Sequence, residues 1–104
     1  MLGQVAPAAA TNTTVYTALT GVQTVISSIV VANRGSDATT FRVAVRPNGA
    51  TIADEHYIAY DAAIARNDSK VLSFGLTLNA DDVITVYAEA ATLSFNVYGT
   101  EITA

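Results

Sequence analysis

Thr40-Phe41-Arg42-Val43-Ala44-Val45 and Ser94-Phe95-Asn96-Val97-Tyr98 decide the fold. Both runs alternate a large apolar side chain with a polar or small one, a period of two that puts Phe and Val on one face of an extended strand. Over Thr39 to Arg46, Phe41, Val43 and Val45 share the core face, while Thr40, Arg42, Ala44 and Arg46 take the other. Pro47-Asn48-Gly49 ends this strand, because proline has no N–H for the ladder and Asn-Gly favours positive φ at a turn.

Upstream, the β-branched stretch Thr13 to Thr20 predicts a first strand that stops at Gly21. Val22 to Asn33 carries apolar residues on both faces, the pattern of a central strand, and Asn33 to Asp37 supplies a polar turn. Downstream, His56 to Tyr60 reads as a short strand. Asp61 to Asn67 reads as a connection holding a helix-like turn, Ala62 to Arg66, too short to be stable. Ser69 to Leu78 aligns Leu72, Phe74, Leu76 and Leu78 on one face, with Gly75 marking a bulge. Val83 to Glu89 and Leu93 to Thr100 read as a closing hairpin.

Seven to eight strands spaced about 8–12 residues apart predict an all-β domain, a single antiparallel β-sandwich, with jelly-roll and immunoglobulin-like connectivity both open. Residues 1–12, small and uncharged around Pro7, are expected to form an extended N-terminal arm on a sandwich domain of residues 13–104. At 104 residues the chain builds one core. It has no cysteine, so stability rests on buried apolar area and ladder hydrogen bonds.

The chain is 51% hydrophobic and only 13% charged, against roughly 25% charged in an ordinary soluble domain, a bias toward assembly. A net charge of −4 argues against binding to a phosphate backbone, so nucleic acid is not an expected partner. No apolar run reaches the length of about 18 residues needed to span a bilayer, and a membrane role is not expected. The opening residues lack a basic segment followed by a sustained apolar one, which predicts synthesis in the cytoplasm.

Chemistry-bearing residues are sparse. His56 beside Asp54 and Glu55 has no second histidine or cysteine to complete a zinc site, and reads as a polar residue at a strand start. Asp81-Asp82 lacks the spacing of a calcium loop and reads as turn chemistry. No G-x-S-x-G elbow occurs, and Glu89 and Glu101 are not distinguished as a glycosidase pair. Neither an enzyme nor a cofactor is expected. The tyrosines Tyr16, Tyr57, Tyr60, Tyr87 and Tyr98 suit protein contacts or sugar stacking. Arg42 and Arg46, on an outward strand face, suit ion pairs across a subunit boundary.

Leu2-Gly3-Gln4-Val5-Ala6-Pro7, Val30-Val31-Ala32-Asn33-Arg34-Gly35, Phe41 to Pro47, His56-Tyr57, Asp82 to Ala88, Leu93 to Gly99 and Glu101-Ile102 carry a resemblance. Across nearly the whole chain these residues resemble small virion structural proteins of tailed bacteriophages. The resemblance implies a non-enzymatic particle component, with the major capsid protein or another virion protein as partner. The leading expectation is a capsid decoration, or cement, protein on the outer head surface, forming a homo-oligomer with a trimer favoured. An acidic domain suits the outside of a shell better than its nucleic-acid-facing inside. Expected contact residues are Leu2, Val5 and Pro7 on the arm, with Tyr16, Arg42, Arg46, Tyr57 and Tyr60 on the body. A tail, neck or baseplate adaptor is the first alternative, and a receptor- or carbohydrate-binding module the second. An aromatic cluster would favour the sugar reading, and apolar contact surfaces would favour assembly.

Overall fold

Strands form where the β-branched and aromatic runs lie: β1 Gly3–Val5, β2 Thr13–Thr17, β3 Val22–Asn33, β4 Thr39–Arg46, β5 Tyr57–Ile64, β6 Ser69–Leu78, β7 Val83–Ala88 and β8 Leu93–Thr103. The structure, a computed structural model, describes residues 2–103. Two four-stranded antiparallel sheets, β1-β8-β3-β6 and β2-β7-β4-β5, pack together as a β-sandwich. The pairs are nested. β4 meets β5, β3 meets β6, β2 meets β7 and β1 meets β8, so the chain is one antiparallel ribbon doubled back at residues 47–56.

Phe41 and Phe95, the two phenylalanines of the deciding runs, are fully buried and meet edge to face across the sheets, with centroids 6.1 Å apart at 71°. An edge-to-face pair sets the positive ring edge against the negative ring face. Ile26, Ile29, Val31, Val43, Val86 and Val97 close around them. On β6, Leu72, Leu76 and Leu78 turn to this core as expected, and the side chain of Phe74 lies outside the described residues.

β3 is central, but it does not bury two faces. Thr24 and Ile26 point inward, then Ile29, Val31 and Asn33 do, a change of parity between Ile26 and Ser28. The register with β8 shifts there, because Ile26 faces Gly99 and Ser28 faces Tyr98, leaving Ser27 as an extra residue. On the other side, Ile26 faces Leu76 and Ser28 faces Ser73, so Phe74-Gly75 bulges as the glycine suggested. The bulge changes which residues meet the core, while Val25 and Val30 keep the outer face apolar without burying it fully.

Two expectations are corrected by the topology. Val83–Ala88 and Leu93–Thr103 do not form a hairpin: β7 lies between β2 and β4, whereas β8 lies between β1 and β3 in the other sheet. Each is an interior strand with two partners already, so the turn after Glu89 crosses between sheets. Residues 61–64 are not a connection either, since β5 runs on to Ile64, which is buried at 1% exposure. Two bulges carry it there. Phe41 pairs with Ala62, Val43 with Ala59 and Ala44 with Tyr57, leaving Ile58 and the Tyr60-Asp61 step as extra length. Asp61 accommodates the second bulge with φ 48°, a left-handed conformation that aspartate tolerates better than most residues. The short alanine-rich stretch could not reveal this, because bulged strand and incipient helix look alike in so few residues.

The N-terminal segment is extended, and it is seated on its own sandwich. Gln4 pairs with Asn96 in β1–β8, Leu2 and Val5 pack on the core, and Pro7 is buried. Ala10 N–H donates to the Ala88 carbonyl at 2.8 Å, carrying the segment over to the second sheet. Gly3 is required at the crossing, because a Cβ there would collide with the Val15 carbonyl oxygen.

The outer faces of the two sheets differ. Residues 47–56 fold over the β2-β7-β4-β5 sheet, so Ala44, Val83 and Thr85 are at most 6% exposed although their register points them outward. Arg46 fastens this cover, with Nε donating to Thr85 Oγ1 at 3.0 Å and the guanidinium donating to the Ala50 carbonyl at 3.1 Å. Asp82 holds it from below, accepting from Asn48 N–H at 2.8 Å and Asn79 N–H at 2.9 Å.

Candidate functional site

Beside the covering loop, the remaining outer face of the β2-β7-β4-β5 sheet carries a stack built from three adjacent strands. Arg42 on β4 stands between Tyr87 on β7 and Tyr60 on β5, with Cζ 4.4 Å and 4.2 Å from the two ring centroids. The strand spacing of about 4.8 Å explains the fit, since two spacings hold one planar guanidinium between two rings. Arg42 Nε also donates to Asp61 Oδ1 at 2.7 Å. That hydrogen bond is the main reason the Arg42 pKa is pushed further up, with partial desolvation opposing it. The guanidinium is therefore a fixed cation and does not serve as an acid or base.

Tyr57 meets Tyr60 at 4.8 Å between centroids and 80° between planes. Strict alternation would send residues three apart to opposite faces. The bulge at Ile58 cancels that, placing both tyrosines outward. With Asp54, from the 3₁₀ turn Asp54–His56, they line a surface cavity of about 450 Å³. Tyr60 is 57% exposed at its mouth. His56 turns its Nδ1 to accept the Ala53 N–H at 3.1 Å, a local cap as its position at a strand start suggests.

The outer face of the β1-β8-β3-β6 sheet has no cover. Its rows run Gln4–Asn96–Val30–Val71, Tyr98–Ser28–Ser73 and Thr100–Val25–Thr77. These strands hold two charged residues, Lys70 and Glu101, and both occupy inward-facing register, opposite Val31 and Thr24. No outward position among the described residues of this sheet carries a charge. Val71 at 63%, Ile102 at 50%, Tyr98 at 39% and Val25 at 37% exposure make the face partly apolar.

The residues singled out for contacts separate into three groups. Leu2, Val5 and Pro7 are packed within their own chain, and Tyr16 is buried at 9% exposure. The Tyr16 hydroxyl donates to Glu101 Oε2 at 2.8 Å, so the Thr24 hydroxyl, also at 2.8 Å, must donate to it. Arg42 and Arg46 have partners inside the chain. Tyr57 and Tyr60 face solvent at the cavity. Sequence reasoning named Tyr87 among the contact tyrosines but missed Asp61 and Asp54 as members of this cluster, and missed the uncharged sheet face. The second was readable in principle, because β1, β3, β6 and β8 together contain two charges, but only with the sheet order in hand.

Among the described residues, no group of three or more His, Cys, Asp or Glu is placed to hold a metal ion. Compared with protein-family models, with curated proteins and with solved structures, the chain matches none of them.

Proposed function

We propose that this chain is a non-enzymatic structural subunit of a tailed-phage virion, a capsid decoration protein that docks through the outer face of its β1-β8-β3-β6 sheet. The observation that carries the reading is the lack of charge across that face, which sets it apart from the loop-covered and charged opposite sheet. Interface centres are depleted of charged residues, because a charge desolvated without a partner is costly. Three long strands at about 4.8 Å spacing and about 35 Å length offer a footprint of roughly 500 Å², before side-chain relief is counted. Specific interfaces bury about 800 Å² per partner, so this face supplies most of a contact surface.

Two further lines support the reading. The nested pairing is the connectivity of a jelly roll, the alternative that suits a shell-associated domain, since jelly rolls recur in viral capsid proteins. The sequence resemblance to phage virion proteins points the same way. The N-terminal segment, whose Leu2, Val5 and Pro7 were expected to make contacts, is docked on its own chain, so the sheet face takes over that part in the proposal.

The test mixes purified heads lacking the protein with the parent chain and with Val71→Glu and Tyr98→Lys. Both positions are exposed, so the variants fold. The parent sediments with the heads and the variants stay in solution. Equal binding by parent and variants, or binding only to isolated tails, overturns the proposal.

A further inference from the structure

The cavity lined by Asp54, Tyr57 and Tyr60 lies on the sheet opposite the uncharged face, and the assembly reading makes no use of it. We propose that this cleft is a binding site for a neutral carbohydrate, taking one or two pyranose units against the Tyr60 ring. Its volume, about 450 Å³, falls within the range of about 300–1,000 Å³ common to small-molecule sites.

Three features of the cleft match that ligand. Tyr60 is a large exposed ring that is already immobilised, by the Arg42 guanidinium at 4.2 Å and by the perpendicular Tyr57 ring at 4.8 Å. A ring held in place before the ligand arrives loses little side-chain entropy on binding, so the stack on a sugar's C–H face is retained as affinity. Asp54 is exposed and lines the cleft. It can accept from two neighbouring hydroxyls through charge-assisted bonds. The Tyr57 and Tyr60 hydroxyls both donate and accept, as a polyol requires.

The charges around the cleft select against ionic ligands. A cationic ligand would gain little from a ring whose field is already engaged by Arg42, itself held by Asp61. An anionic ligand would meet Asp54, with Glu55 next in sequence. A neutral polyol avoids both penalties and still uses the ring and the carboxylate.

The test titrates the full chain with methyl glucoside, methyl galactoside, rhamnose and chitobiose, following tyrosine ring resonances by NMR. Tetramethylammonium and inorganic phosphate serve as charged probes. At least one neutral probe is expected to give saturable shifts at Tyr57 and Tyr60. Asp54→Asn, an exposed substitution that leaves the fold intact, weakens that binding about tenfold through loss of charge assistance. Tyr60→Phe keeps the stack and most of the affinity, and Tyr60→Ala abolishes binding. The proposal is overturned if no neutral probe saturates, if only a charged probe does, or if Asp54→Asn and Tyr60→Ala bind like the parent. Head association is unaffected by these variants, so this site and the assembly face fail or hold separately.

Discussion

Asp61 reaches Arg42 from a left-handed backbone position, φ 48°, and the 2.7 Å contact between them joins a β5 bulge to the neighbouring strand β4. One residue thus closes the bulge and fixes the guanidinium that Tyr60 and Tyr87 stack upon. The backbone and side-chain roles can be separated by substitution. Asp61→Gly retains the left-handed conformation without strain, whereas Asp61→Ala must pay for it, so Ala is expected to be less stable than Gly by about 1 kcal/mol. Asp61→Asn keeps both the conformation and an acceptor, and is expected to be the mildest of the three. Urea denaturation gives the order, and near-UV circular dichroism of the tyrosines reports loss of the stack. Equal stability of Ala and Gly would show that the backbone there is not left-handed.

Phe41→Ala and Phe95→Ala each remove a fully buried ring from the contact between sheets. Each is expected to lower stability by about 3–5 kcal/mol, a large part of the 5–15 kcal/mol typical of a domain. Because the rings touch, the double variant should cost less than the sum of the singles. Additive losses in denaturant melts would mean that the rings do not pack on each other.

Removal of residues 2–11 takes away β1 and the packing of Leu2, Val5 and Pro7, and leaves an edge of β8 without a partner. The truncated chain is expected to melt earlier and to self-associate, since an unpaired edge templates further strand addition. Gly3→Ala is the point-substitution equivalent. Its Cβ would meet the Val15 carbonyl oxygen, at a cost of about 1–3 kcal/mol for an overpacked site. An unchanged melting temperature in both chains would place the segment off the sandwich.

Tyr16 supplies a pH dependence. Burial raises its pKa above the ordinary 10.0, and the hydrogen bond to Glu101 raises it further against the lowering effect of Thr24. The folded state therefore holds the phenolic proton more tightly than the unfolded chain does. Its contribution is complete below about pH 10 and is lost as pH climbs from there through the folded-state pKa. Tyr16→Phe is expected to flatten this alkaline loss while costing about 1–3 kcal/mol at neutral pH, because the buried Thr24 hydroxyl loses its partner. Parallel alkaline unfolding curves for the two chains would remove Tyr16 from the cause.

The pattern of alternation over 39–46 and 93–97 was sufficient by itself for the all-β class, the boundaries of β4 and the burial of Phe41, Phe95 and Val43, and the apolar runs 22–33 and 69–78 with their turn residues gave the boundaries of β3 and β6. Periodicity of two is a local property, and the runs 39–46 and 93–97 display it without outside help. Pairing, and the bulges at Ser27 and Ile58, were decided elsewhere. The extra residues at Ser27 and Ile58 change the facing of everything beyond them, and what stabilises them is the register of neighbouring strands, distant in sequence. For the same reason no local signal could bring Tyr57, Tyr60, Arg42 and Tyr87 to one surface, assign β7 and β8 to different sheets, or collect the uncharged positions of four strands onto one face. Side-chain alternation is written residue by residue, whereas the partner of a strand is selected by the packing of the whole sandwich.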